Sequence, residues 1–573
     1  MIKASDYIAQ FFAGKGINVI FGYIGGMITH LVDSIDKNPN IQFIQTYHEQ
    51  TAAMAAEGYA LESGKPGVAI ATSGPGATNL LTGIADAFFG SIPTIFITGQ
   101  VNTFEYKNDK KIRQQGFQET DVVSLTRPIT KYSVMIDNAD NLVYELEKAY
   151  WICMEGRKGP VLIDLPMDIS RALIDPKICN SFIPKDKFYP EINWFKIKNT
   201  IYNSKRPLLL LGGGCRDIKK EINNFIKCYK IPFVTSLIGK GIADESSEQY
   251  IGMIGSYGNR DANIILSQCD VLIALGSRLD TRQTGACYKD FLPDSKIVHV
   301  DLDKEELKEN RLNNRIEVYT TVEQFLEGFK KNIPTIPISI DWEKWVKNIK
   351  YKYNQTKEVN RFVNNKAPYD FFKLFNKVIL PDSIITVDVG QNQMWTAQTI
   401  KLKNNQHFFT SGGLAPMGFA LPVAVGASFA SPHKTVYCIT GDGGFLMALQ
   451  TLLLISQYSL NIKVIILNNE ALGMITQFQQ LYFNGNMPAT TSNGGYQVPD
   501  FKDISKGFYL NYHKLDSNDL SYESLKNVFK DNNCLLEYKI AGLTSVSPKL
   551  EFNRPIYDMS PSLSSEEISQ IKN

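Results

Sequence analysis

Asp442 and Asn469 are the residues whose types and spacing first suggest chemistry. Asp442 lies among Gly441, Gly443 and Gly444, directly after the apolar run 435–440. Glycines let a backbone come close to a ligand, and the apolar segment that follows reads as a helix with free N–H groups to offer an anion. A second apolar strand, 462–467, stops at Asn468-Asn469. A carboxylate at the turn and an amide at the end of the next strand put two hard oxygens on one sheet edge. Mg²⁺ takes oxygens in a near-octahedral shell and commonly shares them with a diphosphate. The stretch therefore predicts a Mg²⁺–diphosphate site at the carboxyl ends of parallel strands. The plain alternative is an ordinary β-α-β unit with a glycine turn.

The elements around it repeat one pattern. Within 1–185, short apolar strands at 19–21, 41–46, 68–71, 94–99 and 161–165 alternate with helical segments such as 4–13 and 51–63. The second helix is built on Ala52, Ala53, Ala55, Ala56, Gly58 and Ala60, small residues that allow a close neighbour. A proline-flanked connection near 176–190 leads to a second block, 190–345. There the strands 208–211, 271–275 and 297–300 run into Gly212-Gly213-Gly214, Gly276-Ser277-Arg278 and Asp301-Leu302-Asp303. A third block, 369–545, holds the opening stretch, and 546–573 is a Ser- and Pro-rich tail, either disordered or an ordered cover over the site. Strands alternating with helices in this way predict an α/β chain of three doubly wound parallel-sheet domains.

Bulk properties narrow the class. Of 573 residues 44% are hydrophobic and the net charge is +2, so no basic field invites nucleic acid or an anionic membrane. Residues 1–16 lack the apolar core of a signal peptide. The apolar stretch 412–430 is broken by glycines and prolines, unlike a spanning helix. Eight scattered Cys, without a CxxC pair, fit a reducing cytoplasm rather than a disulfide framework or a zinc site.

Several further motifs stand in a fixed order: FGYIGG at 21–26, YHEQ at 47–50, TSGPGATN at 72–79, GFQET at 116–120, GPVLIDLP at 159–166, DVGQNQM at 388–394, GLAPMGFALP at 413–422, GDGGF and NNEALGM. In that order they resemble the acetolactate synthase (acetohydroxyacid synthase) large subunit and its pyruvate-oxidase-like relatives, over about residues 1–545. The resemblance implies a pyrimidine-binding domain, a central domain and a diphosphate-binding domain. It also implies a homodimer or homotetramer, with thiamine diphosphate held between the first domain of one subunit and the third of its partner. Its substrates would be pyruvate and a carbonyl acceptor.

On the same ground, Glu49 is the carboxylate that hydrogen-bonds the coenzyme pyrimidine and lets C2 lose its proton. Gly25 and Gln118 match positions near the reacting carbon. Thr72, Asn79, Gln391, Gly441, Gly443, Gly444 and Met474 fall in the cofactor-binding motifs, and Met417 matches the bulky residue that bends the coenzyme. Mg²⁺ would take Asp442, Asn469 and the backbone carbonyl of Ala471. Arg157, Arg278, Asp280 and Asp301 lie in the stretches that hold FAD in flavin-containing members, where it is largely structural. Arg282 matches an arginine associated with the second keto acid's carboxylate, and Phe117 and Phe478 line the expected substrate side.

Four positions depart from the family pattern: Ile24 for Pro, Met167 for Lys, Thr281 for Asp and Phe478 for Trp. All four concern the channel and acceptor pocket. The absence of a His-His dipeptide argues against simple aldehyde release. The resulting expectation is a carboligase that decarboxylates pyruvate and passes the two-carbon unit to an acceptor. The acceptor is a second pyruvate, giving 2-acetolactate, or alternatively a nucleotide-linked keto sugar of surface-polysaccharide synthesis. A flavin-reducing pyruvate oxidase and a non-catalytic binding protein are the remaining readings, and intact Glu49, Asp442 and Asn469 weigh against the last.

Overall fold

The computed structural model describes residues 1–185 and 187–572. Three six-stranded sheets follow one another along the chain, each parallel throughout. The first contains Val19–Tyr23, Gln42–Gln45, Gly67–Ala71, Thr94–Gln100, Tyr132–Met135 and Val161–Pro166. Counted one to six along the chain, these lie side by side as 2-1-3-4-6-5. The third sheet, Ser383–Val387, His407–Thr410, Thr435–Gly441, Ile462–Asn468, Asn511–Leu515 and Cys534–Lys539, has the same order. The central sheet, Pro207–Leu211, Phe233–Thr235, Tyr250–Met253, Val271–Leu275, Lys296–Asp301 and Arg315–Tyr319, is wound 3-2-1-4-5-6.

The strands are parallel because they are apolar on both faces. All residues of Gly67–Ala71, Pro207–Leu211 and Val271–Leu275 are buried, so helices must cover both sides. Such winding leaves a crevice where the strand order reverses, because connections from neighbouring strands there leave toward opposite faces. In the outer sheets the reversal lies between the first and third strands. In the central sheet it lies between the first and fourth. These three gaps organise everything functional below.

The outer domains meet through two helices, Glu49–Ser63 and Ala420–Ala430. Both are built on small residues, and their backbones touch. A Cβ on Gly58 would overlap the Val423 carbonyl, and one on Gly426 would overlap that of Ala55. The first helix begins two residues earlier than its apolar pattern suggests, because the His48 ring caps it by accepting the Gln50 N–H at 3.1 Å. Glu49 is therefore in the first turn of the helix, not in the loop before it.

The segment from 340 onward folds back on the central domain. Helices Ile340–Tyr353 and Gln355–Phe362 pack there, the first through Trp342, Val346 and Ile349. Leu550, Ile556, Leu563 and Ile571, from the segment after the third domain, join the same apolar cluster. Arg260, 1% exposed, ties the parts together. It pairs with Glu358 at 2.6 Å and donates to the carbonyls of Met559 and Pro561 at 3.1 and 2.7 Å. Among the described residues no helix is long and apolar enough to cross a membrane.

Candidate active site

Each crevice gathers its own set of residues. At the first, Gly25 follows the first strand and Thr72 the third. A Cβ on Gly25 would lie 2.6 Å from that of Thr72, and the Met27 N–H donates to Thr72 Oγ1 at 3.3 Å. Glu49 stands beside them, 7% exposed. Its Oε2 accepts from Asn79 Nδ2 at 2.9 Å. Its Oε1 faces Gly76, where a Cβ would come within 3.1 Å. Gln118 closes the group from the far side, with backbone φ of 63°, against Gly74, itself at φ 62°. A non-glycine residue in the left-handed region is strained, and such strain concentrates at working sites.

Two carboxylates outside the family motifs' named roles hold Gln118 there, and sequence reasoning misses both. Glu119, 6% exposed, accepts the N–H groups of Lys107, Gln115 and Gly116 at 2.9, 2.7 and 3.0 Å. Asp164 accepts from Thr98 and Gln100, and Gln100 also donates to the Thr120 carbonyl at 2.8 Å. Burial pushes the Asp164 carboxyl up to about 7. Phe117, next to Gln118, is 79% exposed and belongs to this group.

At the third-domain crevice the glycine turn is not a turn. The strand Thr435–Gly441 runs straight into a short helix, Asp442–Met447, with Gly443 and Gly444 inside it. The apolar helix expected after the glycines is broken into this piece, a 3₁₀ turn at Leu449–Thr451 and a second helix, Leu452–Gln457. Asp442 is 1% exposed, and Tyr496 Oη donates to its Oδ1 at 2.8 Å. Burial still pushes its carboxyl up to about 6. Asn469 follows the next strand, and Glu470 at φ 51° turns the chain so that the Ala471 carbonyl comes back to it. The Asn469 side-chain oxygen lies 3.3 Å from Asp442 Oδ2 and 3.0 Å from Ala471 O. With its amide reversed, Asn469 would donate to both; in either orientation its amide meets the Asp442 carboxylate and the Ala471 carbonyl.

That convergence is what a small divalent cation asks for. Metal–oxygen distances of 2.0–2.1 Å put neighbouring ligands of an octahedron about 2.9 Å apart. Nowhere among the described residues do three His, Cys, Asp or Glu side chains converge as a metal site. The donors here are a carboxylate, an amide and a carbonyl, the hard mixture suited to Mg²⁺. Gln391 sits above them, 4% exposed, accepting from Asn469 Nδ2 at 3.3 Å and donating to Gln477 and Thr544 O. Gly443 faces Leu472, Met417 and Tyr496, which a Cβ would meet at 2.7, 3.1 and 3.2 Å. Gly443 and Gly444 lie in the first turn of the helix Asp442–Met447, whose N–H groups have no backbone partner within the helix and are of the kind that hold a phosphate. Met474, at the start of the helix Gly473–Tyr482, packs into the domain core beneath.

Met417 is held over Gly443 by its loop. Asp388, at the end of the first strand of this sheet and 1% exposed, accepts the N–H groups of Gly418 and Ala420 at 3.0 and 2.9 Å. Burial pushes this carboxyl up to about 6. Sequence reasoning misses Tyr496 and Asp388. Asp388 carries a signal, an Asp–X–Gly directly after an apolar strand, like the one at Asp442. Tyr496 carries none.

The central crevice lies between Gly212–Gly214 and Gly276. The Gly214 N–H donates to Gly276 O at 3.0 Å. Gly276 is at φ 54°, and a Cβ there would be 2.7 Å from Gly214 Cα. The crevice opens into a cleft of about 240 Å³ walled by all three domains and lined by Arg157, Arg278, Asp280, Asp301 and Arg282. Arg157 bridges from the first domain to Asp303 and Glu306 at 2.9 and 2.7 Å. Burial works against its charge, but these two carboxylates hold the guanidinium above its usual range. Arg278 pairs with Asp280 at 3.2 Å, and Asp280 caps the next helix. Burial pushes the Asp301 carboxyl up to about 6. A glycine-walled switch point ending in acidic residues suits a dinucleotide.

Arg282 is exposed and lies 5.8 Å over the Tyr257 ring. Tyr482 belongs to the same rim, and Phe478 packs on it with ring centroids 4.7 Å apart. The expected substrate residues thus fall into two groups, Arg282 with Phe478 here and Phe117 with Gln118 at the first crevice.

Known proteins match this layout along most of the chain. Models of the thiamine pyrophosphate enzymes match residues 2–125 as the N-terminal TPP binding domain, 196–329 as the central domain and 388–537 as the C-terminal TPP binding domain. A probable acetolactate synthase large subunit of Methanocaldococcus jannaschii is 36% identical over 93% of this chain and 90% of its own. The acetolactate synthase large subunit of Lactococcus lactis is 34% identical over 96% and 94%. The large subunit of Escherichia coli acetolactate synthase isozyme 2 is 33% identical over 96% and 97%.

Proposed function

The chain belongs to the acetolactate synthase large-subunit family of thiamine pyrophosphate enzymes, and we propose that it makes 2-acetolactate from two pyruvates. Two pyruvate anions and one proton give one acetolactate anion and one CO₂. What carries the reading is the meeting of Asp442, Asn469 and the Ala471 carbonyl, in a chain that aligns over 96% of its length with acetolactate synthase large subunits.

Thiamine diphosphate, when bound, supplies the carbanion chemistry at its C2. The chain's own residues bind and aim it. Asp442, Asn469 and the Ala471 carbonyl would hold Mg²⁺, with Gln391 and the N–H groups of Gly443 and Gly444 toward the diphosphate. Met417 would brace the coenzyme between its two ends. Glu49, fixed by Asn79, would hold or release a proton at the pyrimidine ring. Gln118 would donate to the substrate carbonyl, and Arg282 would receive the acceptor's carboxylate. The central cleft would seat FAD as a structural group, since joining two carbonyl carbons transfers no net electrons to it.

The assembly is a homodimer or a homotetramer of such dimers. Glu49 and the oxygen triad belong to different domains, each at its own crevice, and a twofold arrangement lets one subunit's Glu49 face its partner's triad. A cytoplasmic setting, where the eight thiols would stay reduced, goes with it.

The test follows carboxyl-labelled pyruvate with purified protein, thiamine diphosphate and Mg²⁺, with and without nucleotide-linked keto sugars. Rapid CO₂ release and acetolactate from pyruvate alone are expected. Turnover only when a keto sugar is added would overturn the choice of acceptor.

A further inference from the structure

Glu57 is fully buried in the helix Glu49–Ser63, two turns beyond Glu49, and neither of its carboxyl oxygens meets a hydrogen-bond donor. Among the described residues its charged neighbour is Asp86, from the helix Leu81–Gly90, itself 2% exposed. Asp86 Oδ1 accepts from Ser411 Oγ at 2.5 Å across the domain boundary. Ser411 Oγ accepts the Ala415 N–H at 3.0 Å. Ala415 stands at φ 60° and Gly418 at φ 85°, and Asp388 pins the far end of the loop through Gly418 and Ala420. Met417 lies between the two anchors.

Two facing carboxylates away from water and from any cation cannot both be ionised. As carboxylates neither can donate; with one proton, Glu57 donates and Asp86 accepts. We propose that Glu57 and Asp86 hold a single proton between them and act as a positioning pair, in which Asp86 grips Ser411 and so fixes the 411–418 loop that carries Met417.

The surroundings are consistent with one proton and no more. Ser411 and the Ala415 N–H face Asp86 from the third domain. The packed helix Ala420–Ala430 carries no charge. Glu49 and Glu62, on Glu57's own helix, are turned to other partners, Asn79 and the group His407, Ser431 and Lys434. Desolvation holds the Glu57 carboxyl well above its usual range and Asp86 at about 6. Deprotonation at high pH would set two negative charges against each other and release the Ser411 anchor.

The importance of Met417 to a coenzyme rests on the function proposed above, whereas the shared proton does not. Both measurements therefore use the full-length protein without coenzyme. Infrared difference spectra at neutral pH should show the carbonyl band of a protonated carboxylic acid that Glu57→Gln removes. Amide exchange at Ala415 and Gly418, corrected for its intrinsic pH dependence, should quicken about tenfold per pH unit once the pair titrates. In Glu57→Gln, whose amide donates at every pH, it should stay level. An unchanged infrared band, the same alkaline quickening in the variant, or a Glu57→Gln protein without native circular dichroism would each overturn the proposal.

Discussion

Tyr496 donates its hydroxyl to Asp442 Oδ1 across 2.8 Å, and Asp442 Oδ2 lies 3.3 Å from the Asn469 side-chain amide, which itself lies 3.0 Å from the Ala471 carbonyl. One oxygen of the carboxylate is thus anchored by the Tyr496 hydroxyl and the other is turned toward the Asn469 amide. A ligand oriented this way depends on its anchor.

Tyr496→Phe removes only that anchor. Loss of an outer-shell partner typically costs about 10- to 100-fold in metal affinity. Titration calorimetry of Mg²⁺ in the presence of thiamine diphosphate should show weakening of that size, with the fold intact. Unaltered Mg²⁺ binding would mean the oxygen triad is not the metal site.

Glu49→Gln and Asp442→Ala should each lose activity by about 10²- to 10⁴-fold, the usual worth of a positioned proton-transfer group. Mixed, unfolded together and refolded as a 1:1 pool, the two dead proteins should regain about a quarter of wild-type activity. In a twofold dimer each mixed pair has one site with both defects and one with neither. No recovery in a pool shown to contain mixed dimers would place both residues of a site on one chain.

Gly276→Ala tests the central cleft. Its left-handed φ and the 2.7 Å approach to Gly214 Cα leave no room for a methyl group. The wild-type protein should carry flavin absorbance on purification, and the variant should retain less than about a tenth of it, given the few kcal/mol that such strain costs. A colourless wild-type protein would remove FAD from the site.

His299 makes the central domain acid-labile. It is fully buried, with Nε2 2.7 Å from Ser277 O and Arg315 near Nδ1. Burial lowers its basicity to about 4. Unfolded, it would take a proton near 6.5, so between those values the unfolded state binds more protons and stability rises with pH. The contribution is complete above about 6.5. It is lost as pH falls toward 4, on the order of 3 kcal/mol in all. Thermal midpoints of the wild type should drop over that window, and His299→Gln should flatten the drop. Parallel curves would show that the imidazole is not the group responsible.

The chemistry is legible in the sequence where it is local. Glycines beside Asp442, and Asn469 at the end of the next strand, sit within one β-α-β unit, and strand periodicity alone supports three parallel sheets. Tyr496 is not legible, because it reaches Asp442 from an irregular segment 54 residues on. Glu57 reads as an ordinary helix-surface acid until the Leu81–Gly90 helix and the third domain bury it. By propensity the glycines flanking Asp442 read as a turn, yet the packed sheet edge holds Gly443 and Gly444 in a helix. The Ser- and Pro-rich end leaves disorder open by composition. In the structure Leu550, Ile556, Leu563 and Ile571 are buried against the central domain, with Arg260 beneath.

That burial has a consequence for synthesis. The four aliphatic side chains that complete the outer face of the central domain come from residues 550–571, beyond the third domain, while the surface they cover is built from Leu208, Ile264 and Trp342. On the ribosome this domain emerges with that face bare and Arg260 lacking two of its carbonyl partners, and it stays so until residues 550–571 have followed. A nascent chain stalled in the third domain would therefore show an apolar patch that the finished protein hides.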